Sequence, residues 1–327
     1  MSPGLLLIGA LAHVAAQRPF NNVTCATHSV PTLREWLPAY RAVRICAPTA
    51  SSANATFPLH IFCHGDVGGG AFFTPGYDGL QRQIASYGFV VAAFLSCWLD
   101  RECANGEADF IEALETILFV TAHPSVSPVD NSLPYSASGH STGARAVLML
   151  AAVRDNMHYL AKTSFAANVT ADMRDALAKL KAVVADHPDP LLDPKQNPDI
   201  PGFRVTATAI FVITGGADRI EPNGSAWDDF RMLSTPDRVF VNIRGDGHTE
   251  PNGAHHEGPF IAHFSRYFAL GDAEAGAAIY GVEAGSLVRS LPLALAGDAN
   301  SGDGKVAFVA CARDGVAVPA TFASYCA

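Results

Sequence analysis

The residues best suited to chemistry form the run Gly139-His140-Ser141-Thr142-Gly143. A serine hydroxyl is a weak nucleophile until a neighbouring base takes its proton. Glycines two positions to either side allow a turn tight enough to carry the hydroxyl clear of the backbone. The run follows strand-like residues 135–139 and opens an apolar helical stretch at Thr142. The helix N-terminus would bring partial positive charge and free N–H groups to the turn. That context reads as a catalytic serine elbow rather than a structural glycine turn.

Such a serine requires an imidazole to accept its proton, and the imidazole requires a carboxylate to fix its tautomer. In an open parallel sheet both belong on loops at the carboxyl ends of later strands. Strand-like residues 207–214 run into Gly215-Gly216-Ala217-Asp218-Arg219, and 238–243 run into Gly245-Asp246-Gly247-His248. The reading is therefore Ser141 as nucleophile, Asp218 as acid and His248 as base, in that chain order. Asp186, which ends strand-like residues 180–185, and Asp246 compete as the acid. His255 and His256 compete as the base, but they follow no strand. With Glu257 they read as an exposed polar loop, and no metal site is expected, because adjacent histidines on a loop do not readily face one ion.

The chemistry also needs donors for a developing oxyanion. Phe62-Cys63-His64-Gly65-Asp66-Val67-Gly68-Gly69-Gly70 continues strand-like residues 57–63 into a glycine cluster, where N–H groups can approach a carbonyl without interference from a Cβ. The N–H groups of Asp66 and Thr142 are the expected pair, each worth about 3–4 kcal/mol of transition-state stabilisation. His64 is expected to buttress the turn. A phosphate-cradling loop is not expected, because no Gly-Lys-Ser/Thr follows. Phe72 and Phe73, with Leu191 in the Pro-rich stretch 187–201, are expected to line an apolar substrate cleft.

These residues need a scaffold, and the chain supplies alternating elements. Strand-like runs at 41–48, 57–63, 89–94, 135–139, 180–185, 207–214 and 238–243 alternate with helical runs at 75–87, 107–119, from 142, and 259–269. Phe110, Ile111, Leu114, Ile117 and Leu118 form one helical stripe. The alternation predicts an α/β fold with a mainly parallel central sheet and helices on both faces. No internal repeat or composition break divides residues 17–327, so one domain is expected. The tail after Gly281 is weakly patterned.

Composition narrows the class. With 327 residues, 49% hydrophobic and 16% charged, the chain can bury a large core and is not of the disordered class. The formal net charge of −9 and the absence of a basic stripe argue against nucleic acid as a partner. Residues 1–16 read as a signal peptide, with an apolar run from Leu5 to Leu11 and the small-residue pattern Val14-Ala15-Ala16 before Gln17. Asn22, Asn54, Asn168 and Asn223 begin Asn-x-Ser/Thr sequons, which fit a secreted glycoprotein if they lie on the surface. Of seven cysteines, Cys25 with Cys46, Cys97 with Cys103 and Cys311 with Cys326 fall into local pairs, leaving Cys63 as a buried free thiol. No other stretch is long enough to span a membrane.

The residues quoted carry a family resemblance. The chain resembles the α/β-hydrolase superfamily over residues 57–280, and within it the branch of cutinase-like polyester hydrolases, dienelactone-hydrolase relatives and chlorophyllases. Phe62-Cys63-His64-Gly65, the segment 84–91, the serine elbow and the segment 210–222 anchor it. Gly247-His248 followed by Pro251-Asn252, the helix ending Arg266-Tyr267-Phe268, and a late cysteine pair such as Cys311 and Cys326 are similar to cutinase-like polyester hydrolases. The segment 62–94 looks as much like a chlorophyllase, and that likeness favours Asp186 as the acid. The resemblance implies an α/β-hydrolase fold and a carboxylic-ester hydrolase with no cofactor, with Ser141, Asp218 and His248 in the catalytic roles. Asp66 and Pro190 stand where polyester hydrolases carry aromatic rings, so aliphatic, lipid-like or pigment esters are implied over an aromatic polyester. The expectation is a secreted monomer acting on an apolar ester, with a chlorophyllase-type esterase and a catalytically silent binding scaffold as alternatives.

Overall fold

The computed structural model describes residues 20–31, 40–49, 55–66, 73–95, 107–162, 166–191, 204–243, 246–252, 257–280 and 308–311. Among the described residues nine strands form one sheet. They are β1 (Val23–Pro31), β2 (Tyr40–Pro48), β3 (Leu59–Cys63), β4 (Val90–Phe94), β5 (Tyr135–His140), β6 (Leu180–Asp186), β7 (Ala209–Gly215), β8 (Arg238–Ile243) and β9 (Phe308–Cys311). Their order is β1-β2-β4-β3-β5-β6-β7-β8-β9. Strands β3 to β8 run parallel to their neighbours, whereas β1 with β2, β2 with β4 and β8 with β9 pair antiparallel.

The helices are α1 (Phe73–Ser86), α2 (Glu107–Ala122), α3 (Thr142–Asp155), α4 (Ala171–Ala178), α5 (Asn223–Met232), α6 (Gly258–Leu270) and α7 (Ala273–Tyr280). They cover both faces of the sheet, which is why the central strands are apolar without alternation. Along β7 all seven residues are buried. Ile210 and Val212 join one core with residues of α2, α3, α4 and α5. Phe211 and Ile213 join the other with residues of α1, α6 and α7. The architecture is thus the mainly parallel α/β fold that the alternation implies, and it is compatible with an α/β-hydrolase.

Helix α3 is buried almost all round, from Thr142 to Val153. Its small residues, Gly143, Ala144, Ala146, Ala151 and Ala152, let its axis lie close to the sheet. The stripe expected on α2 is buried at Phe110, Ile111, Leu114 and Ile117. Burial of each such large side chain is worth about 1.5–3 kcal/mol.

Several elements escape sequence reading. Strand β1 is one, and its face alternates in exposure with no long apolar run. Helices α4, α5 and α7 are short, and β9 has four residues in the weakly patterned tail. Tertiary pairing rather than local pattern defines them.

Cys25 and Cys46 face each other directly across β1 and β2 and form a disulfide. Cys63 is a buried free thiol. Cys97, Cys103 and Cys326 lie outside the described residues, as do the side chain of Cys311 and residues 1–16, expected as a signal peptide. Sequon residues Asn22 and Asn168 are exposed and Asn54 lies outside the described residues. Asn223 is buried, 8% exposed at the start of α5, and does not meet the surface condition for a glycan. Among the described residues no helix is long and apolar enough to cross a membrane.

Candidate active site

In the β4-β3-β5 order the chain moves outward from β3 to β4 and then returns to β3's other side. Such a switch opens a crevice beyond the carboxyl ends of the strands, and ligands bind there. Both the elbow after β5 and the turn after β3 project into that region.

Ser141 sits between β5 and α3 at φ 57° and ψ −122°. A non-glycine residue in that region costs about 1–3 kcal/mol and persists only when its surroundings hold it. Here the holding groups are visible. The N–H of Ser141 donates to the carbonyl of Asp186 at 3.0 Å. Its own carbonyl accepts from the N–H groups of Ala144, Arg145 and Asp189 at 2.9, 3.1 and 3.2 Å. Arg145 also pairs with Asp189 at 3.2 Å, which ties the segment after β6 to the start of α3.

The two glycines of the elbow are explained by close approach. A Cβ on Gly139 would stand 2.2 Å from the carbonyl oxygen of Gly143, and one on Gly143 would stand 2.3 Å from that of Cys63. The elbow and the end of β3 therefore interlock with no room for a methyl group.

Ser141 Oγ lies 3.0 Å from His248 Nε2. His248 Nδ1 lies 2.9 Å from Asp218 Oδ2. The other carboxylate oxygen, Oδ1, accepts from the N–H groups of Ile220 and Glu221, both at 2.9 Å. Nδ1–H donates to the carboxylate, which leaves Nε2 free to accept from the serine hydroxyl. Burial alone would raise the Asp218 carboxyl. The hydrogen bonds from His248, Glu221 and Ile220 outweigh it and hold this group below the ordinary carboxylate range.

The competing acids are placed differently. Asp186 ends β6, but its Oδ1 lies 2.8 Å from His187 Nδ1 and it makes no bond to His248. Burial raises the Asp186 carboxyl against the opposing hydrogen bond from His187. Asp246 is pushed up to about 7 by burial and then by repulsion from Glu250. Glu257, expected on an exposed loop, is instead 0% exposed, and burial followed by repulsion from Asp186 raises it well above its usual value. Of these four carboxyls, Asp218 is held below the ordinary carboxylate range, whereas Asp186, Asp246 and Glu257 are raised above it.

The expected oxyanion donors belong to turns that meet at the serine. Thr142 opens α3, where the first N–H groups have no intrahelical acceptor. Asp66 is exposed and follows Gly65, on which a Cβ would lie 3.0 Å from the Cβ of Ser141. His64 Nδ1 bonds the carbonyl of Gly65 at 2.8 Å, consistent with a buttress.

The expected cleft residues fare less uniformly. Phe72 lies outside the described residues, and so does the side chain of Phe73, which opens α1. Leu191 packs in the core at 1% exposure instead of facing an open cleft. The cause is local: its N–H donates to the buried carboxylate of Asp229 at 2.7 Å, which draws the loop inward. An apolar side chain not anticipated from sequence, Ile220, stands 64% exposed beside Asp218.

His255 and His256 lie outside the described residues. Among the described residues no group of three or more His, Cys, Asp or Glu side chains is arranged to hold a metal ion. Two further residues stand beside these side chains with no signal in the sequence for that role, Tyr77 and His140. His140 lies within the elbow motif, but only its fold partners reveal what its ring does. No protein-family model matches the chain, and no curated protein matches its sequence.

Proposed function

We propose that this chain is a serine carboxylic-ester hydrolase that works by acyl transfer through Ser141, His248 and Asp218. The observation that carries the reading is the continuous contact from Ser141 Oγ to His248 Nε2 at 3.0 Å and from His248 Nδ1 to Asp218 at 2.9 Å. Each group in that line has one chemically consistent donor or acceptor role.

In the first step Ser141 Oγ attacks the ester carbonyl carbon while His248 Nε2 takes its proton. The carbonyl electron pair moves to oxygen, where the N–H groups of Asp66 and Thr142 donate to it. The tetrahedral species collapses, the C–O bond to the alcohol breaks, and His248 returns the proton to the departing oxygen. Water then repeats the sequence on the acyl-serine and releases the acid. Asp218 stays ionised throughout and stabilises the imidazolium.

The contact between His248 and Asp218, with Asp186 engaged by His187, supports the cutinase-like arrangement over the chlorophyllase-like one. Ile220 beside the triad acid favours an apolar ester. The disulfide and the exposed sequons at Asn22 and Asn168 fit secretion.

A fluorophosphonate probe should label Ser141 in the folded protein, and a short p-nitrophenyl ester should turn over in wild type but not in Ser141→Ala. Absence of both labelling and turnover would leave the silent binding scaffold as the reading. Turnover that persists in Ser141→Ala would place the chemistry elsewhere.

A further inference from the structure

Behind the three catalytic side chains runs a chain of buried polar contacts that the acyl-transfer scheme does not use. The N–H of Gly65 donates to Tyr77 Oη at 3.1 Å. Tyr77 Oη lies 2.7 Å from His140 Nδ1. His140 Nε2 lies 2.6 Å from the carbonyl oxygen of His248. Tyr77 and His140 are both buried.

The proton positions follow from the partners. A carbonyl only accepts, so His140 Nε2 carries a hydrogen. In a neutral ring Nδ1 is then an acceptor, and the hydrogen between it and Tyr77 belongs to the phenol. The phenol oxygen in turn accepts from Gly65. Donation runs in one direction, from the turn after β3 to the main chain of the base. Burial, followed by the nearness of His187 and His248, holds the His140 ring well below its ordinary pKa and so keeps it neutral.

We propose that His140 and Tyr77 are positioning residues that hold the oxyanion turn and the backbone of His248 in fixed register with Ser141. The proposal rests on the esterase reading above. The parts of the reaction come from the ends of three different strands: Gly65 follows β3, His140 ends β5 immediately before Ser141, and His248 lies beyond β8. The relay is a polar connection that crosses all three. It is also packed without slack, since a Cβ on Gly65 would lie 3.0 Å from His140 Nδ1 and 3.2 Å from Tyr77 Oη. Its last acceptor is the carbonyl of the base rather than its ring, so the relay sets where His248 sits and not how basic it is. A shift of about 1 Å at such a site can cost about 100-fold in rate.

The test combines a spectroscopic and a kinetic measurement on the full chain. In wild type, 15N-histidine NMR should show His140 as the neutral Nε2–H tautomer throughout roughly pH 5 to 8, the range in which an ordinary histidine titrates. A His140 signal that is charged, or in the Nδ1–H form, overturns the relay without any variant having to fold. Tyr77→Phe should lower kcat on a p-nitrophenyl ester by roughly 10- to 100-fold and leave KM within about twofold, because alignment and not binding is lost. His140→Gln, whose amide can donate to the His248 carbonyl and accept from Tyr77, should retain more kcat than His140→Phe. Wild-type kcat in both Tyr77→Phe and His140→Phe, or a rise in KM alone, overturns the positioning role. A wild type with no Ser141-dependent turnover overturns the esterase reading and the positioning role with it, and the tautomer then separates that failure from a relay wrongly assigned.

Discussion

Gly143 approaches the carbonyl of Cys63 so closely that a Cβ would stand 2.3 Å from its oxygen. The neighbour is main chain and cannot rotate away. Gly143→Ala should therefore force the elbow and the end of β3 apart, at a stability cost of about 1–3 kcal/mol. On the proposed mechanism ester turnover should fall by about 100-fold or more, because Ser141 and the turn after β3 lose their register. Thermal melting and p-nitrophenyl ester kinetics on the same preparation check both, and full activity in a stable variant would contradict the tight interlock.

Asp218 and Asp186 can be separated by amide substitution. Asp218→Asn keeps the shape but withdraws the charge that fixes the His248 tautomer, so kcat should fall by about 10,000-fold, as for a triad whose acid is amidated. Asp186→Asn should retain most of the turnover, because its carboxyl bonds His187 rather than His248. Steady-state kinetics of the two variants decide the matter, and the reverse ranking would move the acid to the end of β6.

The disulfide between Cys25 and Cys46 closes a separation of 21 residues at the antiparallel end of the sheet. In the chain-entropy account that constraint is worth about 3 kcal/mol. Cys25→Ser with Cys46→Ser should lower the melting temperature accordingly while leaving the serine elbow reactive. Cys63 should behave as an inert thiol: burial, then the nearby Asp109 and Glu112, push its pKa well up and suppress the thiolate. Ellman's reagent should reach it only after denaturation, and rapid reaction in the native protein would refute the burial.

Asp246 makes stability depend on pH. Its carboxyl titrates at about 7 in the folded chain against an ordinary 3.8, so the folded state binds the extra proton between those values. Its contribution is therefore fully present below about pH 4 and is lost as pH rises through about 7. Asp246→Asn removes that loss. The variant should match wild type in acid and exceed it in stability above neutrality, as read by urea denaturation across the range. Asp218 acts in the opposite sense, since its lowered carboxyl contributes stability above its unfolded pKa that is lost in acid.

The local features of the candidate site are written in the residues themselves. Gly139-His140-Ser141-Thr142-Gly143 between a strand and a helix marked the elbow, because the glycine spacing is dictated by a turn that spans five residues. Apolar runs marked β3 to β8 and α3, because strands and helices buried on both sides carry their own pattern. Asp218 and His248 were legible as residues at strand ends, and Asp186 stood as a competitor on the same rule. The tertiary structure separates them: Asp218 and His248 stand 30 positions apart, and only the folded loops show which carboxylate reaches Nδ1. It also buries Leu191 and Glu257, expected at the cleft and on an exposed loop, and Asn223, whose sequon would need a surface position. The relay from Gly65 through Tyr77 and His140 to His248 has no signature in the sequence. Hydrogen bonds between residues 63 and 108 positions apart leave no local periodicity, and the burial that makes them matter exists only once the sheet is assembled.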